Sequence, residues 1–214
     1  MFGLPASTEC NRRIPKQKFY EKSDLSPTLK KAFSEQIRSI HWRNKIAPEV
    51  LSLAAGKEVQ ELEVFELRLN DGRVDEGVLR LIDRAIPYHI LFVLVWEDRM
   101  RLAVAYKETS DAKSTGVRVE RYYYTDWMPE RDVVLRLEGL SMDAVYENLV
   151  RRIAGDALDG QSASLKESVA EQGRRERIEK QIAALEAKIR REKQPKKKFE
   201  LVTQLRMLRG INSC

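Results

Sequence analysis

The chain has few of the residues that build metal centres and disulfide networks. Its 214 residues include two cysteines, Cys10 and Cys214, and two histidines, His41 and His89. Two cysteines, one near each end, argue against a disulfide framework or a thiolate zinc site within one chain. Two histidines are too few for a histidine-rich metal centre, although carboxylates alone can bind a hard cation. We therefore predict free thiols, no metal and no cofactor.

Long apolar runs and phosphate-binding loops are also missing. No stretch of about 18 apolar residues occurs, so no transmembrane helix is predicted. The first residues, MFGLPASTECNRR, lack the pattern of a secretory signal, and we expect a soluble cytoplasmic protein without membrane contact. The motifs GxxxxGK[ST], GxGxxG and GxSxG are absent, which argues against P-loop, dinucleotide and serine-hydrolase sites.

Charge, by contrast, is abundant and unevenly distributed. The chain has 39 Lys and Arg against 33 Asp and Glu, a net charge of +6. Residues 171–210 hold 13 basic and 6 acidic residues, or +7, which leaves 26 basic and 27 acidic residues, or −1, for the rest. A near-neutral body with a cationic arm is typical of proteins that bind nucleic acid or another acidic partner.

The first 156 residues predict an α+β body. The run HILFVLVW, residues 89–96, is typical of a strand buried on both faces and is expected at the centre of the sheet. We interpret Glu61 and Glu63 as a solvated strand edge. The element order favours a mixed, mainly antiparallel sheet with flanking helices. Apolar spacing predicts helices at about 26–42, from Pro48, at 74–85 and from Ser141, and strands at 59–69, 89–96, 100–108, 117–127 and through Val133, Leu135 and Leu137.

The remaining residues predict a hinge followed by a helical hairpin. Residues 157–164 are poor in large apolar side chains and indicate a hinge, and residues 165–214 indicate two coiled-coil-like helices. Short isolated helices are marginal in water, so packing the two apolar seams together would stabilise both. The seams are Ile178, Ile182, Leu185 and Ile189 on the first helix and Leu201, Leu205 and Leu208 on the second.

The stretch RREKQPKKKF, residues 190–199, places six Lys or Arg residues and one Glu where the two helices meet. Pro195 interrupts the first helix and is suited to begin the second, so the basic residues should lie at the far end of the arm. Such cations would contact phosphates without reading base sequence. Alternatively, they only keep an exposed bend solvated, or they bind an acidic protein. The predicted nucleic-acid contacts are Arg190, Arg191, Lys193, Lys196, Lys197, Lys198, Arg206 and Arg209.

The body also invites comparison with metal-dependent nucleases. In restriction-type enzymes, an acid on one strand and an acid-x-Lys triplet on the next hold Mg²⁺ and the attacked phosphate. Here the triplet reads Ala105-Tyr106-Lys107, with alanine where the second acid belongs. A divergent nuclease using Asp98, Lys107, Glu108 and Asp126 therefore stays an alternative to a protein without catalytic activity. A third possibility is a self-assembling structural protein whose hairpins pair between chains.

Several segments resemble a bacterial family, domain-of-unknown-function family 4391. They are GLPASTECNRRIPKQKFY, LSPTLKKAFSEQI, AIPYHILFVL, AYKE followed by TDW, LEGLSMDAVYENLVRRIAG and REKQPKKKFELVTQLRMLR. The family's tail tends to have an aromatic residue and Asn where this chain has Gln194-Pro195, so a sharper bend is expected here. The resemblance implies a helicase or DNA methyltransferase partner, since members are commonly encoded beside such proteins in restriction-like or anti-phage defence loci. We therefore predict a non-catalytic accessory subunit that contacts DNA through its arm.

Overall fold

The computed structural model describes residues 2–20, 25–109, 117–158 and 164–212. The chain divides into two compact units, Met1–Gly155 and Asp156–Cys214. We call the first unit the body and the second the arm. The body contains all of the described strands, and the arm contains the two long C-terminal helices.

The body is built on one seven-stranded sheet. The strand order is β1-β2-β3-β4-β5-β6, and β7 pairs with β5. β3 and β4 run parallel, whereas the other paired strands are antiparallel. This confirms the predicted α+β fold with a mainly antiparallel sheet. The strands are β1 (Glu9–Ile14), β2 (Ile37–Ile46), β3 (Leu62–Leu69), β4 (His89–Trp96), β5 (Arg99–Thr109), β6 (Val117–Tyr124) and β7 (Met128–Pro129).

β4 lies between β3 and β5, where the sequence predicts the centre of the sheet. Residues 89–95 are all buried. The strand lacks the usual alternation of apolar and polar residues because both of its faces are covered by protein. The prediction of a doubly buried central strand is therefore confirmed.

Helices flank the sheet, and three of those in the body begin at side-chain caps. Ser26 Oγ accepts a hydrogen bond from Leu29 N at 3.3 Å, and Asp75 Oδ1 accepts one from Gly77 N at 2.7 Å. These caps satisfy amides that have no partner inside the helix. The predicted helices from Pro48, at 74–85 and from Ser141 are confirmed. The helices of the body are α1 (Gln17–Tyr20), α2 (Pro27–Gln36), α3 (Pro48–Leu51), α4 (Glu76–Ala85) and α5 (Met142–Ala154).

The helix predicted at 26–42 is wrong in its second half. α2 ends at Gln36, and β2 begins at Ile37. The spacing of Ile37 and Ile40 resembles one helical turn, yet both residues are fully buried on a strand. A register shift between Ile37 and Ser39 explains the error, because a bulge lets residues three apart face the same side of a sheet.

The strand predicted through Val133, Leu135 and Leu137 is also wrong. Residues 133–137 pair with none of the described strands; Leu135 N donates one hydrogen bond to Phe2 O at 2.8 Å. Val133 and Leu135 are nevertheless buried. The alternating pattern therefore identified a half-buried segment correctly, but burial alone does not supply a neighbouring strand.

The arm consists of α6 (Leu165–Arg191) and α7 (Pro195–Asn212). α7 folds back along α6, as shown by the 2.7 Å ion pair between Arg209 of α7 and Glu186 of α6. The predicted C-terminal helical pair is confirmed. Of the predicted hinge at 157–164, residues 159–163 lie outside the described ranges.

Candidate nucleic-acid interface

α6 is a long helix with defined ends. Ser164 Oγ accepts a hydrogen bond from Glu167 N at 3.2 Å at its start. At its end, Glu192 adopts an extended conformation, with φ −75° and ψ 124°. The helix has 27 residues, which corresponds to a length of about 40 Å. The C-terminal end of α6 therefore lies far from the N-terminal end of the same helix.

Three residues, 192–194, separate α6 from α7. Glu192 Oε1 accepts a hydrogen bond from Gln194 N at 2.8 Å, and Gln194 O accepts one from Lys198 N at 3.0 Å. Pro195 is the first residue of α7, where its missing N–H and fixed φ have no cost. The predicted bend at Gln194-Pro195 is thus built from short local hydrogen bonds.

The two helices share an apolar seam that is only partly covered. All seven residues predicted to form the seams are half-buried, and none is fully buried. A two-helix pair can cover one side of each helix at most, so partial exposure is the expected result. The seam holds α7 on α6, and it begins at Leu201, beyond the bend.

The residues around the bend are exposed. We call Arg190, Arg191, Lys193, Lys196, Lys197 and Lys198 the basic tip; each of them is exposed. None forms a hydrogen bond or an ion pair through its side chain with another described residue. Glu192 is the one acid between Arg190 and Lys198, so this nine-residue stretch carries six positive charges and one negative charge. Unpaired cations on one short stretch create a local positive potential.

The remaining two predicted contacts lie further along α7. Arg206 is exposed and has no ion pair with a described residue. Arg209, in contrast, is held by Glu186, with 60% and 35% of the two side chains exposed. Because a phosphate would have to compete with that carboxylate, Arg209 is the less available of the two.

The four residues of the nuclease alternative are not brought together. Asp98 lies in the turn before β5, and Asp126 follows β6; both are exposed. Lys107 and Glu108 lie at the opposite end of β5. Nine residues of extended strand separate Asp98 from Lys107, a distance of about 30 Å. No metal-bound phosphate could be reached from both ends.

Lys107 is instead part of a buried network in the body. Its Nζ lies 2.9 Å from Asp83 Oδ1 and donates to Tyr88 O at 3.0 Å. The Tyr122 hydroxyl donates to Asp83 Oδ2. Asp83 is not among the residues predicted from the sequence, although it lies one helical turn after Leu79, on the buried side of α4. An acid at that position is a signal for a buried partner.

The described residues offer neither a metal cluster nor a membrane span. Across the described ranges, no group of three or more His, Cys, Asp or Glu residues is arranged to hold a metal ion. None of the described helices is both long and apolar enough to cross a bilayer. Within the arm, the candidate site is the basic tip, where positive charge is concentrated.

A protein-family model assigns the chain to a family. The family model described as "Domain of unknown function (DUF4391)" matches residues 2–210. The chain belongs to the DUF4391 family. The match spans both the body and the arm, so the basic tip lies within the DUF4391 region. No curated protein and no solved structure matches the chain.

Proposed function

We propose that this DUF4391 protein is a non-catalytic accessory subunit that contacts DNA through the basic tip. One observation carries the proposal: six exposed cations lie within nine residues at the bend of a helical arm, and none is paired with a described residue. A cation already bound to an internal carboxylate would have to lose that partner before binding a phosphate. The cations of the basic tip have no such competition.

The expected binding mode follows from the chemistry of the tip. Lys and Arg side chains on an exposed bend can neutralise backbone phosphates, but nothing in the tip is arranged to read base edges in a groove. Binding should therefore depend little on sequence and strongly on salt. The tip would anchor or position the protein on DNA while another subunit supplies activity.

A titration of fluorescent duplex DNA followed by anisotropy tests this proposal. Replacing Lys196, Lys197 and Lys198 by Gln should weaken binding at least about tenfold at low salt, because three phosphate contacts are lost. A matched control replaces Lys18, Lys57 and Lys180 by Gln; these lysines are also exposed, lie outside the tip and have no ion pair with a described residue. Both variants change the net charge by the same amount. Equal affinities of the two variants would refute a role for the tip.

A helicase or DNA methyltransferase of a defence locus is the proposed partner. This part of the proposal rests on the resemblance to the family, and the separation of Asp98 from Lys107 and Glu108 along β5 is compatible with an accessory role. Affinity purification of the natively expressed protein, followed by mass spectrometry, tests it. Recovery of neither enzyme class would remove this part while leaving DNA contact intact.

Self-association through the arm is a second candidate function. It is favoured by two apolar side chains of α7, Phe199 and Met207, which are 72% and 67% exposed. Light scattering of the full chain tests it with two arm variants, Phe199→Ser and Met207→Ser. The control variant, Leu140→Ser, alters an apolar residue of the body that is 89% exposed. An oligomer that dissociates only in the arm variants would support self-assembly. A monomeric wild-type chain would exclude it.

A further inference from the structure

A second group of cations lies in the body, around a carboxylate with no exposed surface. Glu66 of β3 has a side chain that is 0% exposed. Its Oε2 accepts hydrogen bonds from Arg43 at 2.8 Å and 2.7 Å, and its Oε1 accepts one from Arg68 at 2.8 Å. A buried carboxylate needs such charged donors, because an unpaired one would be strongly destabilising.

Further basic groups lie on the same side of these strands. Arg13 of β1 is in register with His41 of β2, and His41 is in register with Glu66. Residues directly opposite on neighbouring strands project from the same face of a sheet. Arg68 follows Glu66 by two residues and so shares this face. Burial lowers the pKa of His41; the charges of Arg43, Arg68 and Arg13 lower it further, whereas Glu66 raises it. Three guanidinium groups therefore act on one imidazole.

The basic groups around Glu66 offer more hydrogen-bond donors than this one carboxylate requires. Arg43 alone already supplies two donors to Glu66, and its remaining amino group donates to Asn11 Oδ1 at 3.3 Å. Arg68 uses Nε for Glu66, and its side chain is 48% exposed. Arg13 is exposed and is not paired with any described residue. His41 Nδ1 is buried and makes no hydrogen bond within the described part of the chain.

We propose that Arg13, His41 and Arg68 form a binding site for a phosphate group on this face of β1, β2 and β3. Arg43 and Glu66 are the buried support: Glu66 holds Arg68 in place through Nε, which leaves the terminal amino groups of Arg68 for an oxyanion. Guanidinium groups bind phosphate through paired hydrogen bonds. The phosphate comes either from a free phosphate or nucleotide, or from the backbone of a polynucleotide. The site is in the body and does not depend on the basic tip.

Nuclear magnetic resonance of the full chain can test this site directly, because His41 and His89 are the two histidines of the protein. In the titration, inorganic phosphate replaces chloride stepwise, and the ionic strength and the pH are held constant. The His41 ring signals, assigned with His41→Gln, should shift and saturate. The buried His89 serves as an internal reference and should not shift. A second titration with a short DNA duplex distinguishes the two sources of phosphate.

Arg13→Gln is the first variant, since this exposed side chain has no described partner whose loss would affect folding. It should weaken binding about tenfold, because a hydrogen bond between charged groups is lost. Arg12→Gln is the matched control: Arg12 is exposed on the same strand and, as the neighbouring residue, projects from the opposite face. Arg68→Gln should weaken binding at least as much as Arg13→Gln.

Each outcome has a defined meaning. Saturation by inorganic phosphate indicates a free phosphate or nucleotide, and saturation by the duplex alone indicates backbone phosphates; both support the site if Arg13→Gln weakens binding and Arg12→Gln does not. A His41 signal that moves with neither ligand would overturn the proposal. Equal effects of the Arg12 and Arg13 variants would overturn it as well.

Discussion

Lys107 and Asp83 form an ion pair in the interior of the body, with Nζ 2.9 Å from Oδ1 and only 5% and 0% of the two side chains exposed. Burial raises the pKa of Asp83, and the positive charge of Lys107 opposes this effect. The two residues come from α4 and β5, so the pair links a helix to the sheet. Each charge is tolerated because the other is present.

The first prediction is that removing one member of this pair is far more harmful than removing both. Lys107→Met leaves the carboxylate of Asp83 uncompensated and should lower the free energy of unfolding by about 3–5 kcal/mol. The double variant Asp83→Leu, Lys107→Met should recover most of that loss. Urea unfolding followed by tryptophan fluorescence measures this in the body, because Trp42, Trp96 and Trp127 all lie there. Losses that simply add in the double variant would contradict the account.

The second prediction is that His89 makes the protein less stable as the pH falls. Burial, together with the charge of Lys107, lowers the pKa of His89 to about 3. A lowered pKa means that the unfolded chain takes up the proton first, so stability is complete above about pH 6.5 and is lost as the pH falls towards 3. The loss between pH 7 and pH 4 should be on the order of 3 kcal/mol. His89→Gln should flatten this acid limb in urea titrations, and an unchanged limb would count against the assignment.

The third prediction is that Glu63 makes the protein less stable as the pH rises. This residue is 3% exposed, and burial raises its pKa to about 7 although Trp42 Nε1 donates a 2.6 Å hydrogen bond to it. A raised pKa favours the protonated folded state, so this contribution is complete below about pH 4.5 and is lost as the pH rises through 7. Stability should fall by about 2 kcal/mol between pH 5 and pH 8. Glu63→Gln should remove that slope, whereas Glu49→Gln, at an exposed site, should keep it.

The sequence predicted the elements whose patterns arise from one dominant cause. The run at 89–96 is apolar because both faces of β4 are covered, and the helical seams of the arm repeat because two helices pack together. The bend at Pro195 follows from the chemistry of proline alone. These features depend on local residue types, which a single sequence displays directly.

The errors come from features that depend on distant residues. Ile37 and Ile40 looked helical because a bulge in β2, set by pairing with β3, places both on one face. The sequence predicts a solvated Glu63, but Trp42 from the neighbouring strand donates a hydrogen bond to it in the interior. The cation group around Glu66 depends on register across three strands, one of which, β1, was not predicted. A charged residue in a sequence does not state whether a partner lies opposite.

The salt dependence of DNA binding tests the role of the basic tip most directly. If about four to six phosphates are neutralised by the tip, the logarithm of the binding constant should fall against the logarithm of salt concentration with a slope of about −4 to −5. In the variant with Lys196, Lys197 and Lys198 replaced by Gln, the slope should be shallower by about 2 to 3. The control variant with Lys18, Lys57 and Lys180 replaced should keep the wild-type slope. Identical slopes for all three proteins would contradict the proposal that the tip contacts DNA.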